Sequence, residues 1–410
     1  MKRLPLDGVR VLDLTMMWAG PYATKMLGEM GAEVIKIESP RAWDNIRTLL
    51  PRTDQVEDPW NSAFYFAEYN HEKKSVTLDL ARDAGREAFL RLVANSDVVI
   101  ENYRADVMDK LGLGTDVLLG ANPNLIYVSM AGFGKTGGDR DNVGYGPIIE
   151  MMSGLMSLSG YDPDTPQKTG ISYGDPVAGL AAVGAVALAL IARRRTGKGA
   201  VIDLSQQEVS VKMAGIAFAE LARTGVVSPP TGNRHPRWAP QGCYQVRGDD
   251  QWIVVSCPDD ETWRACAETI GRPDLADLTL DERRARHDEL DAAISAWAAP
   301  IDGRVAVDVL QEAGVPAGRV LDMRTIKDDP HLYVRNFWIR VPNPKMHPYR
   351  KHGVVWRLLE ANPTITRHAP YLGADNRSVL SEVAGLGDAE IDQLEADGII
   401  ADTLGEVAFG

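Results

Sequence analysis

The sequence predicts an α/β protein built on a doubly wound, Rossmann-like parallel sheet, with a second and smaller α+β domain. Three observations support this prediction. Short apolar strands alternate with helices along the N-terminal half, the composition changes in a stretch rich in Pro and Gly at 226–242, and a hairpin pattern followed by helices comes after that stretch. Alternating strands and helices are typical of a parallel sheet with helices on both faces.

The first elements form a parallel crossover unit. A buried strand is predicted at 8–15 (GVRVLDLT), a helix at 20–31 and a second strand at 32–38. A strand, a helix and a second strand within about thirty residues indicate such a unit, because two parallel strands need a long connection between them. The alternation continues through further strands and one amphipathic helix, predicted at 75–80, 81–96, 97–102 and 125–134. Ligands of such sheets bind beyond the carboxyl ends of the strands.

The segment at 177–192 has no polar side chain, and Asp175 and Pro176 stand directly before it. By local preference Asp175 is the N-cap of a helix and Pro176 its first residue. A helix N-terminus also stabilises a carboxylate, which lowers its pKa. The apolar run is shorter than the roughly 20 residues that span a bilayer, so we expect a helix buried in protein.

A stretch rich in Pro, Gly, Asn and Arg at 226–242 is typical of a linker or irregular loop. It separates a large domain at 1–225 from a small α+β domain at 230–330, and a C-terminal segment follows at 331–410. The small domain is predicted to hold a hairpin, three helices and a strand, at 243–257, 259–270, 291–298 and 307–323. The C-terminal segment has strand-like runs at 336–344 and 352–359 and two helical patterns within 365–400.

The composition excludes several classes of function. A formal charge of −13 disfavours nucleic acid as a partner. Three cysteines without a CxxC pattern offer neither a disulfide framework nor a zinc site, so we expect a reducing cytoplasm and no metal. The N-terminus lacks a signal peptide pattern. Neither GxGxxG nor GxxxxGK[ST] occurs, which argues against a nicotinamide or flavin dinucleotide and against a P-loop.

Several segments together resemble the class III CoA-transferases, the formyl-CoA and carnitine CoA-transferase type. They are GVRVLDLTMMWAGPYATKMLGEMGAEVIKIE, NHEKKSVTLDL, DVVIENYRADVMDKLGLG, NPNLIYVSMAGFG, GDPVAGLAAVGAVALALIARRRTGKGAVIDLS and GNRHPRWAPQG. They occur in the order found in the family and cover most of the first 240 residues. The resemblance implies a Rossmann-like domain and a cytoplasmic homodimer of interlocked chains, in which the C-terminal segment returns to the large domain.

The resemblance also implies a mechanism. In this family the nucleophile is an Asp that follows Gly before a long apolar helix, and the matching residue is Asp175. It would attack the thioester of an acyl-CoA donor, form a mixed anhydride and then an aspartyl-CoA thioester, and pass coenzyme A to a carboxylic acid acceptor. Coenzyme A is then a substrate, and no permanently bound cofactor, metal, membrane or nucleic acid is needed. Oxyanion donors are also required, and backbone amides of glycine-containing loops such as 239–242 are candidates.

The family's coenzyme A contacts match positions that follow predicted strands. The matching residues are Trp18, Ala19, Leu78, Asn102, Tyr103, Arg104 and Lys110. Arg and Lys suit phosphates, whereas flat or aliphatic side chains suit adenine. By themselves, Leu78 is typical of a core residue and Lys110 of a solvated helix charge.

This chain departs from formyl-CoA transferases at three positions, with Trp18 in place of Gln, Ser39 in place of Arg and Pro147 in place of Glu. These changes argue against formyl-CoA and oxalate as the substrate pair. They favour larger acids, such as aromatic or branched ones, because an indole and a pyrrolidine present apolar surface. The open alternative is that Trp18 fills the pocket and restricts it to short acyl groups.

Two other functions remain open at this point. An α-methylacyl-CoA racemase shares the family's fold, but racemisation requires an acid and a base on opposite faces of the substrate. Tyr145 aligns with the His of racemases, and no His lies between His71 and His235, which weighs against this alternative. A non-catalytic acyl-CoA-binding protein is the second alternative, and the presence of Asp175 disfavours it.

Overall fold

The computed structural model describes residues 3–49, 58–346 and 350–404. The chain divides into two compact units. The first unit consists of Met1–Leu155, Lys168–Gly225 and Asn336–Gly410, and the second of Met156–Gln167 and Val226–Arg335.

The first unit is built on a six-stranded parallel sheet, which confirms the predicted doubly wound fold. Its strands are β1 (Arg10–Asp13), β2 (Glu33–Glu38), β3 (Lys73–Thr77), β4 (Val98–Glu101), β5 (Ile126–Ser129) and β6 (Ala200–Asp203). Their spatial order is β3-β2-β1-β4-β5-β6. The strand order therefore reverses between β1 and β4, which is the point where doubly wound sheets bind ligands.

Helices cover both faces of this sheet. They are α1 (Ala19–Glu29), α2 (Phe64–Tyr69), α3 (Asp83–Ala94), α4 (Val107–Lys110), α5 (Thr115–Ala121), α6 (Gly146–Met152), α7 (Gly174–Thr196), α8 (Gln206–Met213) and α9 (Gly215–Thr224). Alternate strand residues face opposite cores, as Val11 and Leu12 show: Val11 packs in the core that includes residues of α1 and α7, and Leu12 in the core that includes residues of α3. Both cores are apolar because the sheet is buried on its two faces.

Helix α7 crosses α1 closely because small residues line the contact. A Cβ atom added to Gly179 would lie 2.8 Å from the carbonyl oxygen of Ala19, which is too close for a side chain. The other side of α7 is open, with Leu180 47%, Leu188 69% and Ile191 48% exposed. The expectation of a helix buried in protein therefore holds for only one side of α7 in the single chain. By length and composition α7 is apolar enough to cross a membrane, a property that core helices of soluble proteins share.

The second unit has a three-stranded antiparallel sheet in the order β7 (Gln241–Gln245), β8 (Trp252–Ser256) and β9 (Ala317–Val320). Its helices are α10 (Asp260–Thr269), α11 (Leu280–Ala285), α12 (His287–Ala298), α13 (Gly303–Glu312), α14 (Met323–Ile326) and α15 (Pro330–Val334). Trp263 lies at the centre of its core, wholly buried, and its indole N–H donates to the carbonyl of Leu275 at 2.8 Å.

The C-terminal segment of the first unit contains an antiparallel pair, β10 (Trp338–Arg340) and β11 (Arg350–His352), and two helices, α16 (Asn376–Glu382) and α17 (Asp388–Ala396). The strand predicted at 352–359 is wrong beyond its first residue, since 353–359 form no regular element. Short 3₁₀ helices complete the described structure, at Asn45–Arg47, Pro59–Asn61, Leu155–Leu158 and Pro273–Leu275.

This segment also covers the free edge of the sheet at β3. The N–H groups of Ser75 and Thr77 donate to the side chains of Asp375 and Asn376 at 2.9 and 2.8 Å. Just beyond the strand, the N–H of Asp79 donates to the carbonyl of Ile399 at 2.9 Å. An uncovered edge strand would expose these donors to pairing with other chains, so the contact satisfies them and protects the edge.

Buried charges join β1, β2 and β3 beneath the C-terminal end of β1. Asp13, Lys36 and Lys73 are all 0% exposed. The carboxylate of Asp13 accepts hydrogen bonds from Lys73 Nζ at 2.9 Å, the Thr24 hydroxyl at 2.7 Å and the Thr15 N–H at 2.9 Å. A buried carboxylate is tolerated only when charges and donors compensate its lost hydration, and here both are present.

We predict that Lys73→Met destabilises the protein by about 3–5 kcal/mol, because it leaves the charge of Asp13 buried without its partner. Chemical denaturation would measure the loss. Lys74→Met is the matched control: Lys74 pairs with Glu33 at 2.6 Å, but both side chains are partly exposed, so the expected loss is at most about 1 kcal/mol. Equal losses in the two variants would contradict the prediction.

Candidate active site

A cavity of about 290 Å³ lies at the switch point of the sheet, where the segments that follow β1 and β4 meet. Residues of the first unit form its wall, and they include Met16, Met17, Trp18, Asn45, Tyr65, Asn102, Tyr103, Arg104, Arg140, Asn142, Tyr145, Gly146, Pro147, Ser172, Asp175 and Gln206. Five of these are site residues that the sequence predicts: Trp18, Asn102, Tyr103, Arg104 and Asp175. The cavity thus brings together residues that are far apart in the chain.

Side chains from three other parts of the chain, Lys36, Asn102 and Asp44, hold the loop after β1 through four hydrogen bonds. Lys36 Nζ donates to the carbonyl of Thr15 at 2.7 Å. The side-chain amide of Asn102 both accepts from the N–H of Met16 and donates to its carbonyl, each at 2.8 Å. The N–H of Met17 donates to Asp44 at 2.9 Å. Met17 has a φ of 68°, which is strained for a residue with a side chain and persists only where neighbours fix the backbone.

Asp175 is not the N-cap of α7, because the helix begins one residue earlier, at Gly174, with Tyr173 as its N-cap. The local capping prediction is therefore wrong. The N–H of Ala19, the first residue of α1, instead faces the carboxylate of Asp175 and favours its charged form. Gly146, the first residue of α6, lies so close that an added Cβ atom would overlap Asp175 Oδ2. The nucleophile candidate thus faces the N-termini of α1 and α6.

Asp175 holds its proton far more strongly than an ordinary aspartate does. Burial and, second, the charge of Glu150 raise the pKa of Asp175 to about 7, while the Ala19 N–H acts in the opposite direction. The expectation that the helix N-terminus lowers this pKa is wrong, since desolvation and a second carboxylate outweigh the dipole. At neutral pH this group is divided between its acid and its carboxylate forms.

Glu150 is a residue of the site that sequence reasoning missed. It lies on α6, is 1% exposed, and occurs in a helix whose other residues are all uncharged, GPIIEMM. Its Oε1 accepts from the N–H of Tyr173 and, at 3.3 Å, from the N–H of Gly174. These are backbone donors at the start of α7, so Glu150 caps the helix from outside. The sequence does carry a sign of this residue, because Glu150 is the one acidic side chain in a short helix that is otherwise uncharged.

Trp18 forms an aromatic wall with two tyrosines of α2. Its ring lies 6.4 Å from that of Tyr65, edge to face, and 5.5 Å from that of Tyr69. The indole Nε1 is buried and has no hydrogen-bond partner among the described residues. Indole N–H groups are usually paired when buried, so this unpaired N–H is an exception, and the aromatic wall offers the cavity apolar surface.

Two arginines give the cavity positive charge. Arg104 follows β4 and Arg140 belongs to the loop before α6, and both side chains are about half exposed. Their contacts to carboxylates are long, with Arg104 3.9 Å from Asp106 and Arg140 3.5 Å from Asp141. Guanidinium groups held this loosely remain available to bind the carboxylate or phosphate of a ligand.

The remaining predicted contacts lie outside the cavity wall. Ala19 is buried and reaches Asp175 only through its N–H. Leu78 is wholly buried in the core beside α3. Lys110 ends α4 with its side chain 67% exposed and paired with Asp106. The structure does not bring Leu78 and Lys110 to Asp175, and their contact with a ligand stays a prediction. Among the described residues no group of three His, Cys, Asp or Glu side chains could hold a metal ion.

Known proteins similar to this chain share one description. A family model described as CoA-transferase family III matches residues 6–376. The chain is 34% identical to the succinyl-CoA–D-citramalate CoA-transferase of Chloroflexus aurantiacus, with 97% of this chain and 98% of that protein covered. It is 36% identical to the acetyl-CoA:oxalate CoA-transferase of Acetobacter aceti, with 82% and 86% covered.

A solved structure is similar over nearly the same length. The crystal structure of a CaiB/BaiF family protein from Brucella suis matches with a TM-score of 0.84 and 33% identity, covering 93% of this chain and all of that one. The structural comparison and the sequence comparisons therefore point to the same family, and neither depends on the geometry of the cavity.

Proposed function

The chain belongs to CoA-transferase family III, and from this premise we propose that it moves coenzyme A from an acyl-CoA donor to a carboxylic acid through covalent intermediates on Asp175. The observation that carries the proposal is the position of Asp175: a carboxylate at the cavity wall, next to the N-termini of two helices, at the switch point of the sheet. Coenzyme A is then a substrate and not a resident cofactor.

The first half of the proposed reaction forms two intermediates. An oxygen of the Asp175 carboxylate attacks the thioester carbonyl of the donor, the C–S bond breaks, and the product is a mixed anhydride with free CoA thiolate. The thiolate then attacks the Asp175 carbonyl carbon of this anhydride and expels the donor's carboxylate. An aspartyl-CoA thioester remains. Covalent catalysis of this kind replaces one difficult exchange by steps between activated acyl groups.

The second half repeats these steps in reverse with the acceptor. The acceptor's carboxylate attacks the aspartyl-CoA carbonyl and expels CoA thiolate, which then attacks the acceptor's acyl carbon. The C–O bond to Asp175 breaks, and the free carboxylate returns. Each tetrahedral intermediate carries an oxyanion, and the Ala19 N–H that faces Asp175 is a candidate donor to it.

The racemase alternative lacks the groups it requires. It needs an acid and a base on opposite faces of the substrate. Asp175 could be one of them, but none of the described residues that line the cavity is a histidine. Tyr145, at the position of the racemase His, is 52% exposed. The cavity thus supports CoA transfer better than racemisation.

The charges of the cavity favour dicarboxylic substrates. Arg140 and Arg104 line the cavity and supply positive charge, which suits a carboxylate. The names of the relatives reported above include succinyl-CoA, D-citramalate and oxalate, which derive from dicarboxylic acids, and acetyl-CoA, which derives from a monocarboxylic acid. We therefore prefer a short dicarboxylic acid over the larger acids, aromatic or branched, that Trp18 and Pro147 favour from the sequence.

The open apolar surface of the first unit favours assembly of two chains. Leu188 of α7 is 69% exposed, and Ile216 and Phe218 of α9 are 87% and 50% exposed. Exposed apolar surface of this kind marks an interface more often than a free surface. We propose that a second copy of the chain covers this surface, in an interlocked homodimer of a cytoplasmic enzyme. The partner chain, and not a membrane, would then cover the exposed side of α7.

Asp175→Asn should lower the rate of CoA transfer by at least about a thousandfold, because an amide cannot form the anhydride. Mass spectrometry should follow transfer from succinyl-CoA to a carboxylic acid. Hydroxylamine added with the donor should convert Asp175 of the unmodified enzyme to a hydroxamate. Asp164→Asn, at an exposed position, is the control and should keep full activity. Rapid transfer by the Asp175 variant would refute the assignment.

Arg140→Gln should reduce kcat/KM for dicarboxylic acceptors by about 10- to 100-fold, the value of a lost hydrogen bond to a charged group. For monocarboxylic acids of equal length the change should be small. Arg324→Gln, where the side chain is 92% exposed, is the control. A ranking of acceptors in which aromatic acids exceed dicarboxylic ones would contradict the preference, and so would equal losses for both acid classes.

An interlocked dimer should not exchange subunits without unfolding, because separation requires one chain to pass through the other. Sedimentation should show a dimer at all dilutions. After isotopically labelled and unlabelled protein are mixed, native mass spectrometry should find no mixed dimers until denaturant is added and removed. A monomer, or free exchange under native conditions, would refute this arrangement.

A further inference from the structure

Glu150 is a buried acid that the proposed reaction does not use. It is 1% exposed, and among the described residues no Lys, Arg or His side chain forms an ion pair with it. Burial of a charge without a cation costs free energy unless hydrogen bonds compensate. The nearest donors are the N–H groups of Tyr173 and Gly174 and the hydroxyl of Thr169, which lies 3.2 Å from Oε1 and also contacts the carbonyl of Ile171 at 2.5 Å.

These contacts all lie directly before the nucleophile. Tyr173 is the N-cap of α7 and makes no capping hydrogen bond with its own side chain, so the acceptor for the start of the helix comes from α6. Gly174 packs against Ser210 of α8, where an added Cβ would lie 2.9 Å from the hydroxyl oxygen. The turn that carries Asp175 is thus fixed between Glu150 and Ser210.

We propose that Glu150 is a positioning residue for the transfer: its carboxylate fixes the Tyr173–Gly174 turn and places a negative charge behind Asp175. This inference rests on the proposed function, because the effect it describes is an effect on the nucleophile. The charge opposes ionisation of Asp175 and so makes its carboxylate more basic. A more basic carboxylate is a stronger nucleophile toward a thioester, at the cost of a smaller ionised fraction at acidic pH.

The other ionisable groups around Asp175 do not replace this charge. Tyr65 and Tyr69 on α2 both have raised pKa values, chiefly because of burial, and are neutral near pH 7. Tyr22 on α1, which lies beside Gly179 of α7, also has a pKa raised by burial. Gln206 and Ser210 on α8 carry no charge. Arg104 and Arg140 line the same cavity, but neither is among the groups that shift the pKa of Asp175.

The test compares Glu150→Gln with the unmodified enzyme in the pH dependence of kcat/KM. The amide keeps an acceptor oxygen for Tyr173 and Gly174 and a donor for Thr169, but it removes the charge. The kcat/KM of the unmodified enzyme should rise with pH through about 7, as Asp175 ionises. In Glu150→Gln the rise of kcat/KM should occur at lower pH, and its plateau at high pH should be lower. The ratio of kcat/KM in the variant to that in the unmodified enzyme should therefore be lowest at pH 8 and should increase toward 1, or exceed it, at pH 6.

Two further variants separate positioning from stability. Glu150→Ala also removes the acceptor and should lower kcat at every pH, beyond the effect of Gln. Glu208→Gln is the control, since Glu208 is an exposed acid on α8, and its profile should match that of the unmodified enzyme. If Glu150→Gln only lowers the rate equally at all pH values, the residue is structural and the inference is overturned.

A direct titration distinguishes failure of this inference from failure of the proposed function. The infrared C=O band that is lost in Asp175→Asn reports the protonated acid without any substrate. In Glu150→Gln this band should disappear at lower pH than in the unmodified protein. If no donor and acceptor support transfer, the proposed function fails while this titration still decides the role of Glu150. An unchanged titration overturns the inference even in an active enzyme.

Discussion

The buried ion pair between Asp13 and Lys73 joins β1 to β3, and the rest of the site depends on it. Asp13 ends β1, and its carboxylate also binds the N–H of Thr15 and the hydroxyl of Thr24 on α1. The loop that leaves β1 is therefore anchored at its first residues and at the helix it leads to. Lys36 Nζ donates a hydrogen bond to the carbonyl of Thr15 in the same loop. Because this loop delivers the Ala19 N–H to Asp175, the position of the nucleophile's partner is set by charges in the core.

Two aspartates of the first unit, Asp13 and Asp175, lie in surroundings that shift their pKa values in opposite directions. Burial opposes ionisation of Asp13, but the charges of Lys73 and Lys36 more than offset it and lower its pKa. Asp175 has burial and Glu150 acting in the same direction, and only one backbone donor acting against them, so its pKa rises. Environments that push the pKa values of two carboxyl groups apart usually assign them different tasks. Here Asp13 is structural and its surroundings favour the charged form, whereas Asp175 can change its charge near neutral pH.

Much of the fold could be predicted because its signal is local. The strands β1 to β5 match strands predicted from the sequence, and the helix after β1 ends two residues before Gly31, which has the left-handed φ of 99° that glycine favours. The candidate nucleophile came from the Gly174–Asp175 match and not from the apolar run alone. By contrast, 353–359 belongs to a strand-like apolar run but forms no strand, since a sequence pattern does not show whether a pairing partner exists.

The rest of the site could not be read from the sequence, because its physics is not local. The role of Glu150 depends on a contact across 23 residues to Tyr173, and that of Asn102 on a contact across 86 residues to Met16. Local rules assigned the cap of α7 to Asp175 and a lowered pKa to its carboxyl, and both were wrong. In each case the decisive group belongs to another element. Glu150 of α6 accepts the hydrogen bonds at the start of α7, and burial together with the charge of Glu150 raises the pKa of Asp175.

The C-terminal cover on the edge of β3 has a consequence for synthesis of the protein. Ser75 receives its partner Asp375 from a point 300 residues further along the chain. At about 5–20 residues per second, a ribosome needs roughly 15–60 seconds to supply this partner, and during that time the edge is bare. A growing chain with an open parallel sheet is exposed to aggregation over this interval. We therefore expect synthesis of this protein to depend on chaperones that bind nascent chains more than its final stability would suggest.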